Sequence, residues 1–347
     1  MKNLYMDNGA TSFPKAPGVT ESMCNYLNYV GASVNRGVYH NSHEAENTLY
    51  ETRELLCSLF DFDQPENVVF TKNVTESLNV LLKGLFRKGD HVIVSSVEHN
   101  AVMRPLNALK ERGIDYTRIM CDKNGAITAE DILPAIKPNT KGVVMTHASN
   151  VSGTILSLEK VGDICKKNGL NFIIDVAQTA GIIPVDFQKF GADAVAFTGH
   201  KSLLGPQGVG GFLITNQLAD QMSTFIEGGT GSLSDHEIQP HYMPDKFEAG
   251  TQNMPGIYGL NAALQYIMKE GTETLHHKEM VLMEIFLEAL MNMDHIRIVG
   301  RKDTEQRVGI VSVDFIHGDN GEMAYRLYSD SGIMTRSGMH CAPSAHQ

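Results

Sequence analysis

The 347-residue sequence contains no tryptophan, and no apolar stretch approaches the roughly 20 residues that a membrane-spanning helix needs. Its N-terminus also lacks the profile of a signal peptide. Basic residues are scarce, because 29 Lys and Arg stand against 40 Asp and Glu, for a formal net charge of -11. Phosphate backbones are bound by clustered basic side chains. We therefore expect a cytoplasmic protein that binds neither nucleic acid nor a membrane.

Cysteine is sparse and scattered along the chain. The odd number and wide spacing argue against a disulfide framework, and no CxxC pair suggests a metal site, so reduced thiols and no bound metal are expected. For any one of them, a small buried apolar side chain is the simplest interpretation. The cysteines are Cys24, Cys57, Cys121, Cys165 and Cys341.

Residues 43–250 alternate helical periodicity with short apolar strands, which predicts an α/β fold with a mainly parallel, seven-stranded type of sheet covered by helices on both faces. Strands are predicted at 67–70, 91–95, 142–147, 171–175, 192–198 and 208–214, and helices at 76–87, 101–112 and 158–168.

After Pro255 the pattern changes to mixed helices and strands, which predicts a smaller α+β domain. We expect a large domain over 15–255 and a small one formed by 1–14 and 256–347. Helices are predicted at 257–270, 278–293 and 321–329, and strands at 296–299 and 308–315.

A lysine lies among glycines and small hydroxyl residues in the segment Thr198-Gly-His-Lys201, which follows a predicted strand. Such a loop can present an amine to a ligand, and partial desolvation would keep the amine neutral. His200 could assist the amine or contact a phosphate. A solvated surface charge is the alternative for Lys201 taken alone.

Asp175 ends a strand that is predicted to be buried, so its carboxylate needs a partner. A protonated ring nitrogen of a bound cofactor is one such partner, because the pair would keep the ring electron-poor. Capping of the next helix is the alternative. Gln178 could reach a hydroxyl on the same ring.

The segment Thr71-Lys-Asn-Val-Thr-Glu-Ser77 joins a strand to a helix. Its position predicts unpaired backbone N–H groups at Val74, Thr75 and Glu76, which would form a phosphate cradle with the Thr75 hydroxyl. A plain threonine cap explains the same residues.

Two further strands end in polar groups at the edge where α/β proteins bind ligands, namely His99 and Asn150. His99 can stack on a flat ring and move protons, and Asn150 can donate to a ring oxygen or a substrate carboxylate. Either could instead be an ordinary loop residue. Since the chemically different strand ends converge on one edge, we favour a shared cofactor site.

Nearly the whole chain resembles the class V aminotransferase family of pyridoxal-phosphate (PLP) enzymes, and within it the cysteine desulfurase and selenocysteine lyase branch. The segments that carry the resemblance are 6–12, Asn35-Arg-Gly37, 71–77, Glu98-His-Asn100, 149–154, 175–178, Thr198-Gly-His-Lys201, 248–253 and Arg336-Ser-Gly-Met-His-Cys-Ala342. Val74 departs from the pattern, since many relatives have Thr or Ala there.

The resemblance implies a role for each of these positions. Lys201 would form a Schiff base with PLP and move the substrate proton. Asp175 would pair with the ring nitrogen, Gln178 would contact the ring hydroxyl, and His99 would stack on the ring. The phosphate would be bound by Thr75, Thr198 and His200, and by Gly250 and Thr251 of a second subunit, which implies a homodimer.

Cys341 resembles the family residue that takes sulfur from L-cysteine as a persulfide and leaves L-alanine. Arg336 or His340 beside it would favour the reactive thiolate. A sulfur-acceptor protein would then be a further partner, in iron-sulfur cluster assembly, tRNA thiolation or another pathway.

Relatives continue past this cysteine with a strand, an arginine that binds the substrate carboxylate, and a final helix. The sequence ends six residues after Cys341 without a matching arginine. We therefore expect a truncated chain, or a substitute cation in Arg36 or Arg336.

Two other functions remain open. The cofactor residues do not select the substrate, so the first is another class V reaction, either transamination of a small amino acid or cleavage of selenocysteine. The second is a non-catalytic α/β binding protein with a degenerate pocket, which the presence of both Lys201 and Asp175 disfavours.

Overall fold

The computed structural model describes residues 3–35 and 37–346. Within that part of the chain, seven strands form one sheet in the order β2-β8-β7-β6-β5-β3-β4. Strand β8 is antiparallel to its two neighbours and the other pairs are parallel. These strands are β2 (Val68–Thr71), β3 (His91–Ser95), β4 (Asp115–Ile119), β5 (Thr140–Thr146), β6 (Asn171–Asp175), β7 (Ala194–Thr198) and β8 (Gly210–Ile214). The predicted fold class is confirmed.

The central strands are continuous apolar runs because helices cover both faces of the sheet. Every residue of β3, β6, β7 and β8 is buried. Successive side chains enter opposite core clusters, so that Phe172 and Ile174 pack on one face and Ile173 on the other. The parallel strands therefore present their carboxyl ends at one common edge.

The helices are α1 (Val19–Asn25), α2 (His40–Phe60), α3 (Val74–Leu85), α4 (Asn100–Lys110), α5 (Leu158–Lys167), α6 (Asn216–Gln221), α7 (Met254–Glu270), α8 (Thr272–Met291) and α9 (Asn320–Ser331). Helices α1, α2 and α6 were not predicted. Strand β4 was also missed, because this partly exposed edge strand has the polar sequence Asp115-Tyr-Thr-Arg-Ile119.

The C-terminal part contains two small sheets. Strand β9 (Ile296–Val299) pairs antiparallel with β10 (Ser312–Phe315), and β1 (Leu4–Tyr5) pairs parallel with β11 (Ile333–Met334). The β1–β11 pair joins the N-terminal segment to the C-terminal region.

Helix α7 falls in the predicted small domain but packs elsewhere. Its side chains Leu260, Leu264 and Ile267 lie in the core cluster that also contains Phe172 of the large sheet. We therefore propose that the boundary between the domains lies near Gly271, after α7. Among the described residues, no helix is long and apolar enough to cross a membrane.

Candidate active site

The residues singled out from the sequence follow the carboxyl ends of five strands, and the parallel arrangement brings these ends to one edge. Val74 and Thr75 follow β2, His99 follows β3, Asn150 follows β5, Asp175 and Gln178 follow β6, and Thr198, His200 and Lys201 follow β7. In open α/β sheets this edge is where ligands bind.

The pKa of Lys201 is influenced by burial and by three other groups. Burial lowers the pKa of its amine, and nearby Arg336 lowers it further, whereas Asp175 and Cys341 raise it. The net shift is downward, which increases the fraction of neutral amine at pH 7. Only the neutral amine can attack an aldehyde or accept a proton.

The loop that carries Lys201 is held by the N-terminal segment. The carbonyl oxygen of His200 accepts hydrogen bonds from the backbone N–H of Ser12 at 2.9 Å and from the ammonium of Lys15 at 3.0 Å. The hydroxyls of Thr11 and Ser12 also donate to it, both at 3.1 Å. These bonds fix the peptide unit directly before Lys201, a role that sequence reasoning did not assign to Lys15.

Asp175 is buried at the end of β6, and burial raises the pKa of its carboxyl. The opposing influences are a hydrogen bond from the Ala177 N–H to Oδ1, at 2.9 Å, and the charge of Lys201. Gln178 donates from Nε2 to the carbonyl of Gly9 at 3.3 Å. A cationic ring nitrogen near Asp175 would supply the counter-charge that a buried carboxylate requires.

His99 caps the start of α4, since its Nδ1 accepts a hydrogen bond from the Ala101 N–H at 3.0 Å. This acceptor role places the proton of the neutral ring on Nε2. Burial, with Lys201 and Arg104 assisting, lowers the pKa of His99 to about 4. His99 is therefore a neutral N–H donor near pH 7.

Glu98, which sequence reasoning gave no role, lies buried between two strand ends. It accepts hydrogen bonds from the Ser95 hydroxyl at 2.6 Å and from the Thr146 N–H at 2.9 and 3.0 Å. Burial raises its pKa to about 8, and the charge of Asp175 contributes. The only sequence signal was its position directly before His99.

Seven buried side-chain polar atoms of the described residues lack a hydrogen-bond partner, and two of them belong to this site, namely Oγ1 of Thr198 and Nδ1 of His200. Burial, with Lys201 and Lys15 assisting, lowers the pKa of His200 to about 4, so its ring is neutral near pH 7. An unpaired buried hydroxyl is costly unless a ligand completes its hydrogen bonding. Both atoms belong to the segment directly before Lys201, where the sequence predicted phosphate contacts.

The cradle predicted at the start of α3 needs correction. The N-cap is Asn73 and not a threonine, and its side chain already accepts the Glu76 N–H at 3.0 Å. The side chain of Val74 is buried, while Thr75 is exposed. The N–H groups of Val74 and Thr75 remain candidates for an anion, but that of Glu76 does not. The spacing Asn73-x-x-Glu76 could have indicated this cap.

The C-terminal loop brings Cys341 to the same edge. The exposed Cys341 contributes its carbonyl oxygen, which accepts the Asn100 N–H at 2.7 Å. Asn150 donates from Nδ2 to the carbonyl of His340 at 2.6 Å. Asn150 therefore contacts the cysteine loop, a partner that the sequence did not indicate.

Arg336 is exposed and forms an ion pair with Asp7 at 3.2 Å. This pair joins the N-terminal segment to the cysteine loop, and the arginine is close enough for its charge to act on Lys201. The second candidate cation, Arg36, lies outside the described residues.

Gly250 and Thr251 are exposed, and Gly250 has φ of +93°. Their segment is connected to the lysine loop by the Asn253 side chain, which donates to the Gly208 carbonyl at 2.7 Å.

Over residues 3–35 and 37–346, no group of three His, Cys, Asp or Glu side chains is arranged to hold a metal ion.

A family model described as aminotransferase class-V matches residues 4–347. The chain belongs to this family. The resemblance seen in the sequence is thereby confirmed, and the chain is that of an enzyme from a PLP-dependent class.

Curated relatives include a probable cysteine desulfurase of Methanothermobacter thermautotrophicus, 33% identical over 98% of this chain and 85% of its own. Another, also named a probable cysteine desulfurase, comes from Pyrococcus abyssi and is 34% identical, with the same coverage. Among solved structures, the apo cysteine desulfurase of Thermococcus onnurineus superposes with a TM-score of 0.91 and 32% identity. That match covers 99% of this chain and 86% of the other.

The residues of this chain fit the cofactor that its family implies. The unpaired Thr198 Oγ1 and His200 Nδ1 suit phosphate oxygens, and the buried Asp175 suits a cationic ring nitrogen. Lys201, with its lowered pKa, lies in the electrostatic field of that carboxylate.

Proposed function

We propose that this protein is a cysteine desulfurase that binds pyridoxal 5'-phosphate and transfers sulfur from L-cysteine to Cys341, leaving L-alanine. The observation that carries the proposal is that one edge of the sheet brings together Lys201 after β7, Asp175 at the end of β6 and the Cys341 loop, whose carbonyl accepts the Asn100 N–H at 2.7 Å. The charges of Asp175 and Cys341 both raise the pKa of Lys201 against the larger effect of burial. The names of the relatives support the same activity.

In this proposal Lys201 would hold the cofactor, Asp175 would keep its ring nitrogen charged, and Thr198 and His200 would bind the phosphate. Gln178 would face the ring hydroxyl and His99 the ring itself. When bound, the cofactor withdraws electrons from the α-carbon of the substrate. Once the amino group of the substrate has displaced it from the cofactor, the free amine of Lys201 would accept the α-proton. The Nε2–H of His99 is available to donate a hydrogen bond to the bound ligand.

In this proposal Cys341, in the C-terminal loop, takes the sulfur from the substrate. The Cys341 thiolate would attack the sulfur of the substrate, so that a sulfur–sulfur bond forms and the bond between that sulfur and the substrate carbon breaks. The electron pair of the broken bond stays with the carbon, which takes up a proton and becomes the methyl group of alanine. Arg336 would attract the substrate carboxylate, although this requires exchange with its present partner Asp7. The loop is exposed, so a sulfur-acceptor protein can reach Cys341.

The exposure of Gly250 and Thr251 supports a homodimer in which this segment completes the phosphate site of the partner subunit. Dissociation of such a dimer would weaken cofactor binding at both sites. Sedimentation with and without the cofactor measures this coupling.

The test of the cofactor site is reduction of the PLP-treated protein with borohydride, followed by peptide mapping. The adduct is expected on Lys201, and the Lys201→Ala variant is expected to lose both the adduct and the visible absorbance band. Lys246 is a matched control, because burial also lowers its pKa while its ammonium donates to the Ala219 carbonyl at 2.7 Å. An adduct on Lys246, or on no lysine, would refute the proposed site.

The test of the reaction is the product balance with L-cysteine. Equal amounts of alanine and of transferred sulfur or sulfide are expected. Formation of a keto acid in place of alanine would identify transamination, and a strong preference for selenocysteine would identify a lyase. A protein that binds no PLP would be the non-catalytic alternative.

A further inference from the structure

The loop that carries Cys341 is held to the sheet edge by two backbone carbonyls. The His340 carbonyl accepts from Asn150 Nδ2 at 2.6 Å, and the Cys341 carbonyl accepts from the Asn100 N–H at 2.7 Å. The next residue, Ala342, is fully buried. The loop is thus anchored at Ala342 and fastened by two hydrogen bonds just before it.

The loop backbone has a conformation that needs this support. His340 and Cys341 have φ of +47° and +58°, the left-handed region that residues with a Cβ rarely occupy. Two such residues in succession favour relaxation to another backbone shape. The bonds from Asn150 and Asn100 oppose that relaxation.

Asn150 is itself rigidly placed. It lies at the tip of a tight turn in which the Ser149 hydroxyl accepts the N–H groups of Val151 and Ser152 at 3.2 and 3.1 Å. Ala148 and Ile155 are bridged across the base of the turn. The sites of Ser149, Val151 and Ser152 are buried, so the amide of Asn150 is a fixed point against which the loop can be positioned.

We infer that Asn150 is a positioning residue for Cys341, because its side-chain amide holds the His340 carbonyl and so keeps the cysteine loop against the sheet edge. The sequence had assigned Asn150 to a ring oxygen or a substrate carboxylate. An amide nitrogen carries two N–H groups, so the bond to His340 leaves a second donor for such a ligand. The catalytic meaning of this inference rests on the proposed function, but the contact itself does not.

Opening of the cysteine loop can be measured as hydrogen exchange at the Asn100 amide. This N–H belongs to the first turn of α4, where no carbonyl of its own helix is available, and its acceptor is the Cys341 carbonyl. When the loop opens, the Asn100 amide loses its protection. The Met103 N–H, bonded to the His99 carbonyl at 3.2 Å, reports on α4 itself and serves as the internal reference.

In Asn150→Ala, exchange at Asn100 is expected to rise about fivefold relative to Met103, which corresponds to the net loss of one ordinary hydrogen bond. The isosteric Asn150→Asp variant makes the same test with the packing volume retained, since it removes the donor and keeps the shape. It also serves if the alanine variant does not fold.

Asn139→Ala is the matched control. Asn139 lies just before β5, at the opposite end of the strand that leads to Asn150, and its side chain also donates to a backbone carbonyl, that of Gly89, at 2.7 Å. This variant is expected to leave the Asn100 to Met103 exchange ratio unchanged. A merely structural role of Asn150 would lower the melting temperature without changing that ratio.

Unchanged exchange at Asn100 in folded Asn150→Ala and Asn150→Asp would overturn the inference. Because the measurement uses protein without L-cysteine, it gives a result even if the protein releases no sulfur. A failure of the borohydride mapping refutes the proposed function, whereas an unchanged exchange ratio refutes only the positioning role.

Discussion

The two halves of the candidate site are built differently. The cofactor side consists of the ends of fully buried central strands, as β6 and β7 show. The thiol side belongs to a region with little core, since α8 buries only Met283, Leu287 and Leu290 among its described residues and α9 buries none of its own. The packing of the sheet therefore fixes the positions of Lys201 and Asp175, whereas the position of Cys341 depends on a few polar contacts.

This difference suits the two tasks that the proposed function assigns to the two halves. A ring that must face a carboxylate and an amine in one geometry requires a rigid frame. A thiol that receives sulfur from one molecule and passes it to another has to be reached from solvent. Low burial and a small number of fastening bonds make the loop accessible and easily opened.

Substitution of Cys341 or Lys201 should give the largest change in activity. It also distinguishes most directly between sulfur transfer in the exposed half and cofactor binding in the buried half. Cys341→Ser is expected to lower sulfur release by orders of magnitude and to leave PLP uptake intact, because a hydroxyl is a far weaker nucleophile than a thiolate. Lys201→Ala should abolish both. Sulfur release and the visible spectrum are measured side by side.

Cys24→Ser is the control for that experiment, since Cys24 is an exposed thiol on α1. It should behave like the unchanged protein. A full desulfurase rate in Cys341→Ser would show that the exposed half takes no part in the reaction.

Core substitutions sharpen the contrast in packing. Phe172 is fully buried in β6, so Phe172→Ala should cost about 3–5 kcal/mol of the free energy of unfolding. Leu282 on α8 is 69% exposed, and Leu282→Ala should stay within about 0.5 kcal/mol. Denaturant unfolding measures both. A large cost at Leu282 would mean that another surface covers α8 in solution.

Glu98→Gln tests the electrostatics of the buried half through pH. The Glu98 carboxyl has a pKa of about 8 in the folded protein, above its ordinary value of 4.5, so between these values the folded state keeps a proton that the unfolded state releases. The free energy of unfolding then falls as pH rises, by up to about 1.4 kcal/mol per pH unit.

Because glutamine does not titrate, the stability of Glu98→Gln relative to the unchanged protein should increase steadily across that interval. Urea unfolding at a series of pH values measures the difference. Parallel pH profiles for the two proteins would contradict the protonated state of Glu98.

The smallest effect is expected at Thr198. Thr198→Val removes an unpaired buried hydroxyl, so the cofactor-free protein should be at least as stable as before, while PLP affinity should fall about fivefold through loss of one hydrogen bond. Calorimetry and PLP titration measure the two quantities.

Thr179→Val provides the opposite case, because the buried Thr179 hydroxyl is already paired with His147 Nδ1 at 3.0 Å. It should destabilise the cofactor-free protein by about 1 kcal/mol. Equal destabilisation by the two variants would contradict the interpretation that the Thr198 hydroxyl has no hydrogen-bond partner until a ligand binds.

Most of the sheet could be predicted from the sequence, because strands that are buried on both faces consist of continuous runs of apolar residues. The polar edge strand β4 lacks such a run and was missed, and helices α1, α2 and α6 were not predicted either. Helix α7 was predicted as a helix, but the sequence did not indicate that it packs in one core with Phe172 of the large sheet, since amphipathic periodicity shows that a face is buried and not which core buries it.

The sequence by itself determined the chemistry of the strand ends and their common edge, because parallel strands must place their carboxyl ends together. Only the tertiary structure decided which donors remain unpaired, as at Thr198 and His200, and which are already taken, as at Glu76. It alone joined Asn150 to His340, 190 positions further along the chain. Local sequence patterns report burial and turn formation, whereas a hydrogen bond between distant segments depends on how the whole chain packs.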